Sequence, residues 1–195
     1  MKESFVFLAD GFEDIEAITV IDVLRRANIP VKTISITSSP EVTSAHGVTM
    51  HADTVYNETL FDNADWLICP GGMPGAQNLA EFAPLTRLLK KHDDNGGRMA
   101  AICAAPAVVF GQLGLLEGKP ATCYPGFEHL CTGAIMEDKP VVSTPDMVLG
   151  NGPSNALLWS LAIVKATLGE ETSRKIAGDM LLYPRSMEDI EHIFG

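Results

Sequence analysis

A thiol stands where a buried strand pattern gives way to a helical one: Cys103, in the stretch RMAAICAAPAVVFGQLGLL. A side chain at so sharp a strand-to-helix turn projects above the sheet edge, as in the nucleophile elbow of hydrolases. The helix that follows would aim free N–H groups and its positive dipole end at the sulfur. These features predict a reactive cysteine with a pKa below the free value of ~8.5. The bland rival is a buried cysteine that packs the sheet.

An acidic turn, DGFEDIE, is the second candidate. Asp10 and Glu13 have capping-box-like spacing, and acids suit a helix N-terminus. Glu16 is less well explained by capping. It lies on the flank of an apolar stripe (Ile15, Ile18, Val20, Ile21, Leu24), three residues after Glu13, from where a carboxyl could turn toward Cys103. The third candidate is PGGMPGAQN. It lacks the G-x-G-x-x-G dinucleotide fingerprint. Gly71-Gly72 could bring backbone N–H groups close to a bound oxygen, or could simply form a tight turn.

The other thiols, Cys69, Cys123 and Cys131, have no C-x-x-C spacing, and no histidine cluster accompanies them. Neither a metal nor a cofactor is therefore expected. His46, His51, His92, His129 and His192 lie away from Cys103 in sequence and take surface or structural roles by default.

Three continuous apolar runs, 4–9, 65–69 and 98–102, predict strands of a parallel sheet covered on both faces. Further strands are predicted at 31–36 and 47–53, with two short ones around Thr144-Pro145. Helices are predicted from the acidic turn onward, over LAEFAPLTRLLKKHDD, over 104–116, from Pro153 to Leu168, and over 170–183. This alternation gives an α/β fold in a single domain over 1–195. Ligands of such sheets sit at the carboxyl ends of the parallel strands, where the loops holding Glu16, Gly72 and Cys103 converge.

Bulk properties narrow the partners. Hydrophobic residues make up 46% of 195, enough for a sizeable core. Lys and Arg number 14 against 25 acids, a net charge of −11, which argues against nucleic acid and anionic membrane surfaces. No apolar run approaches a membrane span. FVFLA, followed at once by acids, is too short for a secretory signal, so a cytoplasmic location is expected.

Taken together, LADGFEDIEAITVIDVLRRANIPV, PGGMPGAQNL, AAICAAPAVV and GNGPSNALLWSLAIVKATLG resemble the ThiJ/PfpI superfamily, and within it the branch of the Parkinson-associated protein deglycase. The resemblance implies a flavodoxin-like three-layer sandwich with a mostly parallel sheet, commonly a homodimer. It implies that Cys103 is the reactive cysteine, that Glu16 hydrogen-bonds its sulfur, and that the N–H groups of Gly72 and Ala104 face a bound oxygen. Arg26 and Pro153 match positions near the pocket or the two-fold interface in relatives. Activities implied are glutathione-independent glyoxalase and deglycase chemistry on a small carbonyl substrate, or an oxidative-stress sensor or chaperone role for an oxidisable Cys103. A part in thiazole phosphate metabolism comes only with the superfamily name. Two departures stand out. The protease-like branch has histidine after the cysteine where this chain has Ala104, so peptidase activity is not expected. Relatives often have a histidine before a pocket proline where this chain has Tyr124, which is a poor base near neutrality.

Overall fold

The computed structural model describes residues 1–182. His192 and the last residue of the final predicted helix lie outside them. The centre is a seven-stranded sheet of β1 (Glu3–Leu8), β2 (Val31–Ser35), β3 (Thr54–Val55), β4 (Ala64–Cys69), β5 (Arg98–Ile102), β6 (Val141–Ser143) and β7 (Met147–Gly150). Their spatial order is β6-β7-β5-β4-β1-β2-β3. Every pairing is parallel except β6–β7 at one edge. The apolar runs behave as their composition requires, with Phe5 to Leu8, Trp66 to Cys69 and Met99 to Ile102 all buried.

Among the described residues five helices flank the sheet: α1 (Asp14–Arg26), α2 (Gly75–Glu81), α3 (Ala83–Asp94), α4 (Ala156–Leu168) and α5 (Glu170–Asp179). The crossover from β1 to β2 runs one way along the sheet and that from β4 to β5 the other. Right-handed connections therefore put α1 on one face and α2–α3 on the opposite one. The chain order reverses between β1 and β4, and at such a switch point the loops part to leave a crevice. α4 packs on α1 and α5. Trp66 of β4 donates to Thr167 Oγ1 at 2.9 Å and Trp159 of α4 to the Val148 carbonyl at 3.0 Å, so both indoles are buried without orphan N–H groups.

Several sequence expectations need correction. The helix predicted over 79–94 breaks at Phe82, which is extended (ψ 91°) because Pro84 two residues on opens the next helix. The strand predicted at 47–53 contributes Thr49–His51 to a separate hairpin with Glu41–Thr43. The helix predicted over 104–116 is a wide π-helical segment of 6 residues, Pro106–Gly111, followed by turns. Ile15 and Ile18, placed in the buried stripe of α1, are 56% and 48% exposed, because the inward face is Glu16, Ala17, Val20, Val23 and Leu24. Among the described residues no helix is long and apolar enough to cross a membrane.

Candidate active site

Cys103 follows β5 directly, with φ of +63°. That left-handed conformation costs a residue with a Cβ about 1–2 kcal/mol. Two hydrogen bonds hold it there: Cys103 N–H donates to the Gly150 carbonyl (2.9 Å), and the Cys103 carbonyl accepts from Tyr124 N–H (2.8 Å). The elbow is thus tied to the end of β7 and to the loop carrying Tyr124. The thiol side chain is 9% exposed, at the floor of an open cleft of about 180 Å³ lined by Gly72, Met73, Cys103, Ala104, Tyr124 and Phe127.

Glu16 sits in the first turn of α1 and is completely buried. Its position follows from how the helix starts. The Asp10–Glu13 capping box is not formed. Glu13 is itself the N-cap, its Oε2 accepting from Glu16 N–H at 2.8 Å, while Glu13 N–H donates to the Gly71 carbonyl at 3.0 Å. Asp10 instead accepts from Thr43 N–H. Gly71 N–H in turn donates to Glu16 Oε2 at 2.8 Å. The other oxygen, Oε1, is buried without a hydrogen-bond partner. The carboxyl acts on the Cys103 thiol as a charge and as a hydrogen-bonding neighbour, although the contact falls short of full hydrogen-bond geometry.

Side chains are excluded where the loops after β1 and β4 meet. A Cβ on Gly72 would come within 2.5 Å of the Gly11 carbonyl oxygen, and one on Gly75 within 2.6 Å of the same atom. A Cβ on Gly71 would fall 2.7 Å from Cys103 Cβ and 2.8 Å from Glu16 Oε2. The two loops touch backbone to backbone, and this brings acid and thiol together.

Burial dominates the electrostatics. It pushes Glu16 up to about 7, against the Gly71 hydrogen bond and with help from the Glu13 charge. Burial, then the charge and hydrogen bonding of Glu16, push Cys103 up to about 12, while the N–H groups of Gly72 and Ala104 pull it down. The lowered pKa expected of an elbow cysteine is therefore reversed. The short π-helical segment supplies little dipole, and a carboxylate lies beside the sulfur. Two groups in such contact titrate as a pair, which holds one proton from near pH 7 upward.

The remaining sequence candidates lie as follows. The Gly72 and Ala104 N–H groups both face the sulfur. Tyr124 is 44% exposed on the cleft wall, edge-on to Phe127 (centroids 6.4 Å apart). Pro153 lines a shallower hollow of about 350 Å³ on the other side of Tyr124, with Asn151 and Asn155. Arg26 is not in the cleft of its own chain: it pairs with Asp22 at 2.7 Å at the far end of α1, roughly 15 Å along the axis from Glu16. Sequence reasoning missed Gly71 as the anchor of Glu16, although the Gly-Gly pair marked the place, and missed Met73 and Phe127, which carry no chemical signal. A hollow of about 230 Å³ at the amino ends of the strands, lined by Lys2, Phe61 and His92 among others, contains no cysteine.

Glu13, Asp14 and His46 offer ligand atoms within 4.8 Å of one another. They do not suit a cation. Glu13 Oε2 is spent on the helix cap, Asp14 Oδ2 on His46 Nδ1 (2.7 Å), and the positive end of α1 points there.

Residues 2–166 match the DJ-1/PfpI family. The chain is 38% identical over 184 residues to protein DJ-1 homolog B of Arabidopsis thaliana, covering 94% of this chain but 42% of that protein. It thus spans less than half the length of that relative. It is 29% identical to glutathione-independent glyoxalase DJR-1.2 of Caenorhabditis elegans, over 93% of this chain and 97% of that protein. The fold superposes on oxidized Toxoplasma gondii DJ-1 with a TM-score of 0.89 and 35% identity, covering 94% of this chain and all of that one. Its mostly parallel sheet between helices is the flavodoxin-like architecture of these proteins, and with the match running through every loop of the cleft, the chain belongs to the DJ-1/PfpI family.

Proposed function

We propose that this protein is a cofactor-independent cysteine enzyme of the glyoxalase type, with Cys103 as nucleophile and Glu16 as proton shuttle. The observation that carries this reading is the buried Glu16 carboxyl, pushed up to about 7 beside the Cys103 thiol on the cleft floor. The pair reacts in the form in which Glu16 holds the proton and Cys103 is a thiolate. In that form burial still raises the thiol, but the carboxylate charge that adds to it is gone, and the Gly72 and Ala104 N–H groups face the charged sulfur.

The thiolate adds to the aldehyde carbon of a 2-oxoaldehyde such as methylglyoxal, and the new oxyanion takes the Glu16 proton to give a hemithioacetal. The N–H groups of Gly72 and Ala104 support the developing oxyanion. Glu16, now a carboxylate, removes the proton from that carbon and returns it to the neighbouring one, while the hydroxyl proton passes from the first carbon's oxygen to the second's, leaving a thioester of the 2-hydroxy acid. Water hydrolyses the thioester to lactate and frees the thiol. The cleft, at about 180 Å³, lies below the ~300–1,000 Å³ of drug-sized sites and suits a three-carbon substrate. Glycation adducts of the same aldehydes present a similar carbon at a surface this open. The C. elegans relative's name gives the same activity to a protein of matching length.

Lactate formed from methylglyoxal without added thiol is the assay. Cys103→Ser should abolish it, and Glu16→Gln should lose roughly 10²–10⁴-fold while Cys103 still alkylates. Undiminished turnover in Glu16→Gln refutes the shuttle. A wild type that makes no lactate but oxidises first at Cys103 under mild peroxide favours a redox sensor instead.

We further propose that the protein works as a homodimer through the face bearing Ile15, Ile18 and Leu158. All three are exposed, on packed helices α1 and α4.

A further inference from the structure

The cleft above Cys103 is walled by side chains that the proposed chemistry leaves idle. Met73 comes from the loop after β4, and Tyr124 and Phe127 from the chain beyond the π-helical segment. Met73 and Tyr124 are 48% and 44% exposed, large apolar surfaces left open at the cleft, and Phe127 is partly buried against the core. Among the described residues, the Cys103 thiol and the Tyr124 hydroxyl are the only polar side-chain groups in the lining. The polar neighbours of Phe127 are held elsewhere: Glu128 Oε2 accepts from Gly126 N–H at 2.8 Å, and His129 Nδ1 lies 3.1 Å from the Gly126 carbonyl oxygen. The wall is also preformed. Tyr124 N–H donates to the Cys103 carbonyl at 2.8 Å and Phe127 N–H to the Tyr124 carbonyl at 3.2 Å, which ties both rings to the elbow. The rings meet edge to face at 76°, and the Tyr124 ring lies beside Gly152, where a Cβ would come 3.6 Å from Cδ2.

We propose that this wall selects the substrate: a 2-oxoaldehyde whose ketone carbon carries an aryl or similarly large apolar group, in preference to methylglyoxal. The proposal rests on the glyoxalase reading and names the substrate class for that site. With the aldehyde carbon at the Cys103 sulfur and its oxygen at the Gly72 and Ala104 N–H groups, the lining left for the ketone's substituent is Met73, Tyr124 and Phe127. A methyl group covers little of that surface. A planar ring covers more, packs against the aromatic pair and meets the polarisable Met73 thioether. No charged side chain lines the wall, so no desolvation of charge offsets the gain. Such contacts are made alike before and during reaction, so they act on KM rather than kcat. Phenylglyoxal and water then give mandelate by the steps written above, with no other reactant.

The test compares phenylglyoxal with methylglyoxal in wild type, Phe127→Ala, Phe127→Leu and Met73→Ala, with mandelate and lactate measured as products. The wild type should favour phenylglyoxal in kcat/KM by roughly 10-fold or more, the low end of what hydrophobic pockets achieve. That ratio should fall about 2–10-fold in Phe127→Ala, through KM, with the loss of an aromatic contact, and by less in Phe127→Leu. Phe127 packs against the core, so the exposed Met73 supplies a variant with little bearing on folding; Met73→Ala should lower the ratio about 2-fold or more. A second readout needs no turnover. The rate of Cys103 alkylation by N-phenyl iodoacetamide relative to iodoacetamide, each divided by its rate with N-acetylcysteine, should exceed one in the wild type and fall in the same variants. A wild type that prefers methylglyoxal, or a substrate ratio that the wall variants leave unmoved, overturns the proposal. A wild type that converts neither aldehyde refutes the glyoxalase reading, and the alkylation rates then decide the wall alone: a relative rate of one in all four proteins overturns it.

Discussion

Glu16→Gln should stabilise the protein more at pH 8 than at pH 5. Folding moves this carboxyl from 4.5 to about 7, chiefly by burial. The folded chain holds the proton more tightly than the unfolded one. The group's contribution is therefore fully present below pH 4.5 and is lost as pH rises through about 7, leaving a buried carboxylate. Linkage between those two values gives a penalty near 1 kcal/mol at pH 5 and over 3 kcal/mol at pH 8, a difference of about 2.5 kcal/mol. Gln has no charge to bury, and its side-chain oxygen can still accept from Gly71 N–H, so its own cost is the same at both pH values. Equilibrium urea unfolding of both proteins at pH 5 and pH 8 reads the difference directly. In melting temperature it corresponds to roughly 5–10 °C for a chain of this size. Cys103 does not disturb the comparison, because a thiol pushed up to about 12 stays neutral over this range in unfolding wild type and falls no lower than its free value when unfolded. A Gln variant whose stability change is equal at pH 5 and pH 8 would refute a shifted Glu16, and with it the premise that the acid and thiol share one proton.

Two further outcomes follow from packing. Gly71→Ala inserts a methyl group 2.7 Å from Cys103 Cβ and 2.8 Å from both Glu16 Oε2 and the Ile102 carbonyl. It should cost about 1–3 kcal/mol in urea unfolding and lower turnover as well, and wild-type values of both would contradict the close approach. Light scattering of the wild type should give about twice the 20.9 kDa chain mass, with Ile18→Glu reduced to the single-chain mass; a dimer unaffected by Ile18→Glu moves the interface elsewhere.

The sheet was legible because its central strands are buried on both faces and read as unbroken apolar runs, with Phe5 to Leu8 the plainest case. Cys103 was legible from its place after such a run, and its positive φ bears out the sharp turn. The electrostatics of that turn were not. Whether an elbow thiol is raised or lowered depends on what lies opposite, and Glu16 arrives from a strand crossover far away in sequence. Glu16 itself was only half legible. Its period along α1 placed it near the apolar stripe, but Ile15 and Ile18 looked equally buried and proved exposed. Hydrophobic period identifies a helix more securely than it identifies the inward face, especially where a carboxyl occupies that face. The helix expected after Cys103 failed for a related reason: the apolar pattern over 104–116 is that of a buried segment, and burial does not distinguish a regular α-helix from a short π-helical segment closed by turns.

The glycine contact between the loops after β1 and β4 divides the cleft into two halves that differ in what variation they tolerate. Gly71, Gly72 and Gly75 face neighbouring backbone or the acid–thiol pair at distances of 2.5–2.8 Å from a Cβ, so any side chain there must displace the backbone or the pair itself. Met73, Tyr124 and Phe127 across the opening are side chains at a partly open surface and can change size or polarity without moving the backbone. A mutant library aimed at a new substrate would therefore find its variants along the aromatic wall, and a selection that enriched changes in the glycine half would be selecting for loss of the site.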